Sequence, residues 1–382
     1  MSVRILCGNV FDMLRTLPDE SVHCCVSSPP YWGLRSYLPN GHPDKHLEIG
    51  LEPTLGEHIE VMVAVFREVR RVLRKDGTLW LNYGDCYATS VNGRSAADTK
   101  SLGEDDRTFR DKPFSTVGPI YDPAGGSKGG GFRGTNCGRR EDQDVPSKGR
   151  ICAGGVLKPK DLCMVSNRLA IALQDDGWWL RSEVVWAKQN GMPDSSGRYR
   201  PSVSHEKVWM LTRSADCYYD FRAVMEPITD SSKARLGQGL ADHAGSASAN
   251  GGTRSHRPRK EVRFGGSKGG GDHGSSSRTK TGNEWDTDDD LRLMRNVWFI
   301  PTQPFKESHF ATMPTAIAER CTKASCPEGG MVLDPFGGSG TTGLVADRLG
   351  RGAILIELNP EYAAMAEKRV KGDCPMFTEV SA

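Results

Sequence analysis

The chain has 382 residues, 37% of them hydrophobic, which is enough to bury one large core or two ordinary ones. Its formal net charge of +2 hides an asymmetry: residues 231–280 carry ten Lys/Arg against three Asp/Glu, and residues 126–160 carry eight against three. Eleven cysteines, an odd number with no C-x-x-C pair, argue against a disulfide framework and against a zinc module, and no apolar run approaches the ~20 residues of a membrane span.

In chain order, residues 4–7 read as a strand that starts with no charged-then-apolar leader, so a reducing cytoplasm is expected. Residues 11–17 follow as a helical turn. Residues 22–27 form a second strand, ending in Ser28-Pro29-Pro30-Tyr31. Two prolines fix this backbone and bring no N–H of their own, so their carbonyls can face a ligand. With the Ser28 hydroxyl and the flat Tyr31 ring they suit a planar ring bearing an exocyclic amine, although the same string also serves as a plain chain reversal.

Apolar residues at Ile59, Met62, Val63, Phe66, Val69, Val72 and Leu73 predict a helix over 57–74, stopped by Lys75-Asp76-Gly77, with a core strand at 78–82. Periodicity vanishes between Tyr87 and Pro159 and again over 230–290; both stretches repeat Gly-Gly-Ser-Lys-Gly-Gly-Gly as shared low complexity. Between them a helix is predicted over 160–176 and strands over 178–186 and 207–212. Residues 297–300 restore a strand, and His309-Phe310-Ala311-Thr312-Met313-Pro314 starts a helix with Thr312 or Met313 near its cap.

The strongest single signal comes late. Residues 331–333 form a short apolar strand, Asp334 ends it, and Gly337, Gly338 and Gly340 open a helix over 341–349. Such a turn leaves bare N–H groups at a helix N-terminus, where a carboxylate or phosphate can lie. A second apolar run, 353–356, ends in Glu357, 23 positions after Asp334, where an acid is placed to bind ribose hydroxyls. Because the glycine spacing is neither G-x-G-x-x-G nor a phosphate loop, NAD and ATP are disfavoured and S-adenosylmethionine fits.

Together, Ser28-Pro29-Pro30-Tyr31 and Asp334-Pro335-Phe336-Gly337-Gly338-Ser339-Gly340-Thr341-Thr342 resemble motifs IV and I of the amino-directed DNA methyltransferases, the N4-cytosine/N6-adenine class. Their order, catalytic motif first, is similar to the circularly permuted β group. The strings 48–54 (Glu-Ile-Gly-Leu-Glu-Pro-Thr), 79–85 (Leu-Trp-Leu-Asn-Tyr-Gly-Asp), 186–193 (Trp-Ala-Lys-Gln-Asn-Gly-Met-Pro) and 354–362 (Ile-Leu-Ile-Glu-Leu-Asn-Pro-Glu-Tyr) match how members of this group read.

The resemblance implies an α/β, Rossmann-like methyltransferase fold with a mostly parallel central sheet, circularly permuted, plus loop-rich insertions for DNA recognition. Its domains would be 1–88 with 160–224 as the catalytic half, 89–159 as a Gly/Arg-rich insertion, 225–296 as the DNA target-recognition region and 297–382 as the cofactor-binding half. It also implies S-adenosylmethionine bound by Asp334, Phe336, Gly337, Gly338, Ser339, Gly340 and Thr341, by Glu357 and Asn359 at the ribose side, and by His309 and Thr312 closing the site. Asn9 stands where many relatives carry an Asp that accepts from the adenine amine. Ser28, Pro29, Pro30 and Tyr31 would hold a flipped base of duplex DNA. Lys188, Arg254, Arg257, Arg259, Lys260 and Arg263 would contact phosphates or base edges. No metal, membrane or nuclease motif is expected; a homodimer is. Cytosine-C5 chemistry is set aside, since it would need a Pro-Cys nucleophile and no cysteine follows a proline. Adenine and cytosine stay nearly even as targets. An RNA-base or protein-amide methyltransferase and an inactive DNA-binding protein are the alternatives.

Overall fold

The computed structural model describes residues 2–33, 36–38, 42–88, 157–158, 160–191, 200–228, 291–303, 312–373 and 379–381. They fall into two units, Met1–Ala223 with Arg295–Ala382, and Val224–Met294. The second unit contributes an antiparallel pair, β6 (Glu226–Pro227) and β7 (Leu291–Arg292), tied by an Arg292–Glu226 ion pair at 3.6 Å.

The first unit is built on a nine-stranded sheet. Its strands are β1 (Ser2–Cys7), β2 (Val22–Ser27), β3 (Leu73–Tyr83), β4 (Trp179–Ala187), β5 (His205–Thr212), β8 (Val297–Phe299), β9 (Met331–Asp334), β10 (Gly352–Glu357) and β11 (Glu379–Ser381), in the order β11-β1-β10-β9-β2-β3-β5-β4-β8. All pairings are parallel except those of β5 with β3 and β4. The apolar runs of β9 and β10 reflect burial on both faces, which parallel strands covered by helices require. Ile354 and Ile356 of β10 join one core with α1 (Val10–Thr16), α2 (Leu55–Val72) and α3 (Val165–Asp175). Leu355, pointing the other way, lies under α5 (Thr341–Arg348), so close that a Cβ on Gly343 would stand 2.8 Å from it. Helices α4 (Thr315–Ser325) and α6 (Pro360–Asp373) complete the set.

The predicted boundaries of three helices move. Helix α2 starts at Leu55 under a capping box between Thr54 and Glu57, and it ends at Val72 rather than at the Lys75-Asp76-Gly77 stop. Leu73 already takes an extended conformation and pairs with Val22, so the Lys-Asp-Gly step becomes a register shift inside β3. Helix α3 begins at Val165, not at residue 160, because Asp85 Oδ1, 80 residues away, accepts the Val165 N–H at 3.2 Å. Helix α4 is capped by Pro314 rather than by Thr312 or Met313, and Gln303 Oε1 receives the Thr315 N–H at 3.2 Å. No helix among the described residues is long and apolar enough to cross a membrane.

Candidate active site

Two turns leave the carboxyl ends of neighbouring parallel strands, β2 and β9, which pair at Cys24 with Val332 and Cys25 with Leu333. This is where open α/β sheets place their ligands. The ends are locked together. Ser27 Oγ donates to Asp334 Oδ1 at 2.7 Å, Thr342 Oγ1 donates to Asp334 Oδ2 at 2.8 Å, and the Phe336 N–H reaches Oδ1 at 3.1 Å. Burial pushes the Asp334 carboxyl up to about 7, and those three bonds only partly offset it.

The glycine turn is shaped by close approaches that a side chain would break. A Cβ on Gly337 would lie 2.9 Å from Leu355 Cβ, and one on Gly340, at φ +77°, 2.8 Å from Ala366 Cβ. Gly338 meets only open space apart from the Phe336 carbonyl at 3.9 Å, so the backbone there is accessible. Its N–H donates to Glu357 Oε2 at 2.8 Å, while the Asn359 N–H takes Oε1 at 2.8 Å. Glu357 thus ties the turn to the end of β10, and burial raises its carboxyl above the usual range. The carboxylate keeps a lone pair for a ligand hydroxyl. Arg369 braces the other side by donating to the Ser339 carbonyl, Ser339 Oγ and Thr341 Oγ1, each at 3.0 Å.

In the earlier turn Ser28 is half-buried and Pro29 buried. Among the described residues none donates a hydrogen bond to the Pro29 carbonyl. The Tyr31 ring packs on Tyr83 with centroids 4.8 Å apart and lies so near Gly84 that a Cβ there would stand 2.6 Å from it. Its hydroxyl donates to Glu206 Oε2 at 2.8 Å. Glu206 also pairs with Lys188 and accepts from Asn82 Nδ2 at 3.2 Å, so Lys188 is joined to the tyrosine through one carboxylate.

A single cavity receives both turns. Ser28 and Pro30 line it from one side, and Asp334, Phe336, Gly337, Gly338, Ser339 and Thr341 from the other, with Glu357 and Thr312 at its wall. Pro29, Tyr31 and Gly340 are not among the residues that line it; they adjoin lining residues in the chain. Asn9 does not line the cavity: its Oδ1 is engaged as the cap of α1, accepting the Phe11 N–H at 2.9 Å, and Gly8 and Val10 form the wall there. Asn359 is likewise occupied, donating to the Tyr37 carbonyl at 2.8 Å. His309, Arg254, Arg257, Arg259, Lys260 and Arg263 lie outside the described residues.

Sequence reasoning missed part of the wall. Tyr37, Tyr362 and Glu48 line the cavity, and Glu48 is buried, paired with Lys45 at 3.0 Å and accepting the Tyr37 N–H at 2.8 Å. The string 48–54 was the available signal for Glu48; Tyr37 has none. Three carboxylates (Glu48, Asp334, Glu357), aromatic rings and a bare glycine backbone suit a ligand with a positive charge, hydroxyls and a flat base. S-adenosylmethionine has these features. Among the described residues no cluster of His, Cys, Asp or Glu could hold a metal ion.

Comparison with known proteins gives the family. The family model described as DNA methylase, the N6/N4 group, matches residues 22–368. The chain is 36% identical over 375 residues to the type II methyltransferase M.XycI of Xanthomonas campestris pv. cyanopsidis, covering 98% of this chain and 90% of that protein. It is 34% identical to M.SmaI of Serratia marcescens over 97% of this chain and 91% of that one. Among solved structures, the PvuII DNA methyltransferase (cytosine-N4-specific) superposes with a TM-score of 0.52 at 15% identity, covering 96% of this chain and 87% of that one.

Proposed function

The chain belongs to the N6/N4 DNA methylase family and uses S-adenosylmethionine to methylate an exocyclic amino nitrogen in duplex DNA, and from that premise we propose how its residues divide the work. The cofactor supplies a methyl group activated on sulfur. Glu357 holds the ribose hydroxyls, Asp334 and the 337–341 turn surround the methionine part, and Phe336 and Tyr362 form apolar wall.

On the other side, Ser28 Oγ and the Pro29 carbonyl accept the two hydrogens of the base amine, and Tyr31 supports the ring by stacking. An aromatic amine is a poor nucleophile because its lone pair is conjugated with the ring. Two acceptors that hold its hydrogens out of plane favour the pyramidal nitrogen of the transition state and aim its lone pair into the cavity. Positioning therefore supplies most of the acceleration, since methyl transfer asks for no strong side-chain base.

The observation that carries this reading is the Ser27–Asp334 bond at 2.7 Å, joining residues 307 positions apart so that both turns open into one cavity. Ser28→Ala or Tyr31→Ala should abolish methyl transfer while the S-adenosylmethionine affinity measured by calorimetry stays nearly intact. Loss of cofactor binding in Ser28→Ala would mean that the turn belongs to the cofactor pocket instead.

Residues 225–296 are proposed to recognise the target, with Arg254, Arg257, Arg259, Lys260 and Arg263 on phosphates or base edges and Lys188 closer to the catalytic turn. The type II names of its relatives support a place in a restriction-modification system, and the free thiols among the described residues suit the cytoplasm. A homodimer, expected from the family resemblance, is checked by sedimentation.

A further inference from the structure

The base-holding turn is gripped from behind by a chain of buried polar groups that does not reach the cavity. His58 is fully buried on α2, with Nδ1 2.7 Å from Glu52 Oε2 and Nε2 2.7 Å from Tyr83 Oη. Tyr83, 1% exposed, accepts the Trp32 N–H at 2.9 Å and donates to the Pro30 carbonyl at 3.2 Å. Glu52 closes the frame. Its carboxylate takes the Gly50 N–H at 3.0 Å, and its carbonyl takes Trp32 Nε1 at 3.0 Å. Gly50, at φ +97°, fits beneath Pro30 so tightly that a Cβ would stand 3.2 Å from Pro30 Cβ.

We propose that Glu52, His58 and Tyr83 act as positioning residues for methyl transfer, fixing the two ends of the Pro30–Trp32 segment so that Ser28 and the Pro29 carbonyl meet the base amine at the right height. The inference rests on the reading of Ser28 and Pro29 as the amine acceptors.

Three physical points carry it. Two successive prolines give the turn no amide of its own at 29 and 30, so its handles are the Pro30 carbonyl and the Trp32 N–H, and one phenol oxygen holds both. A buried imidazole and carboxylate are expensive, and an apolar trio of similar volume would stabilise the fold at least as well. None of the three lines the cavity, and their polar atoms are taken up by one another and by the backbone of the turn. The hydrogens also balance. The phenol has one hydrogen and the Trp32 amide must donate, so the Pro30 carbonyl receives the phenol hydrogen only when His58 Nε2 donates to the phenol. Burial opposes the charge on Glu52, yet the bonds from His58 and from the Gly50 amide hold its carboxyl below the usual range.

The test is steady-state transfer of tritiated methyl from S-adenosylmethionine to unmethylated bacterial genomic DNA, with cofactor affinity by calorimetry. Tyr83→Phe removes one oxygen and almost no volume. It is expected to lower kcat by about tenfold to a hundredfold, the scale of a small misplacement in an active site, while KM for DNA and the cofactor Kd move less than about threefold. The double variant His58→Gln/Tyr83→Phe should fall no further than the worse of the two single variants, because the residues act as one unit. A Tyr83→Phe kcat within twofold of the parent, a loss that appears in KM alone, or multiplicative losses in the double variant would each overturn the proposal. If His58→Gln does not fold, Tyr83→Phe decides alone. Ser28→Ala separates the two readings: an active Ser28→Ala enzyme removes the amine acceptors themselves, whereas an inactive one beside a fully active Tyr83→Phe removes only the positioning chain.

Discussion

Asp334 concentrates the electrostatics of the site in one side chain. Its carboxyl stands at about 7 through burial, against 3.8 ordinarily, so the folded protein binds this proton more tightly than the unfolded chain does. Its contribution to stability therefore falls as pH rises from 3.8 towards 7. A cation in the cavity favours the carboxylate and reverses that cost. Cofactor affinity should accordingly strengthen as pH rises from about 6 to about 8, by at most about tenfold per pH unit below the titration, and then level off. Calorimetry in buffers of different ionisation enthalpy should show proton release on binding at pH 6 but not at pH 8, and Asp334→Asn should remove both effects. Gly340→Ala makes a second case at this scale: at φ +77° and 2.8 Å from Ala366 Cβ, the added methyl should cost about 1–3 kcal/mol in denaturant unfolding and weaken cofactor binding.

Among the elements, the late strand-turn-helix could be read from the chain because its logic is local. Apolar β9, the glycines and the acid ending β10 are consecutive in sequence and each announces its own conformation. The frame behind the early turn could not be read that way. Tyr31 reaches Glu206 across 175 residues, and Asp85 caps α3 across 80, so no window of sequence contains both partners. The string 79–85 did stand out as a family match, yet only the fold shows that its tyrosine holds a proline carbonyl. Helix α2 ties the two kinds of information together. Its capping box is local, and its buried stripe of Met62, Val65, Phe66 and Val69 places His58 against β3. Thr54→Ala should cost about 1 kcal/mol of stability, and Phe66→Ala about 3–5 kcal/mol, both measurable by chemical denaturation.

For the molecule as a whole, the sheet order brings β2 and β9 side by side although their turns are some three hundred residues apart, and the cavity between those turns is where cofactor and base are proposed to meet. Grip on DNA is proposed to come from elsewhere, so replacing Arg254, Arg257, Arg259, Lys260 and Arg263 with alanine should weaken DNA binding and flatten its salt dependence by about 0.9 in log–log slope for each phosphate no longer neutralised, leaving cofactor affinity unchanged. The chemistry itself is tested most directly by mass analysis of nucleosides from unmethylated DNA incubated with the enzyme and S-adenosylmethionine. N4-methylcytosine or N6-methyladenine should appear, made by the parent enzyme and not by Ser28→Ala; 5-methylcytosine, or an amino-methylated base made equally well by Ser28→Ala, would contradict the account.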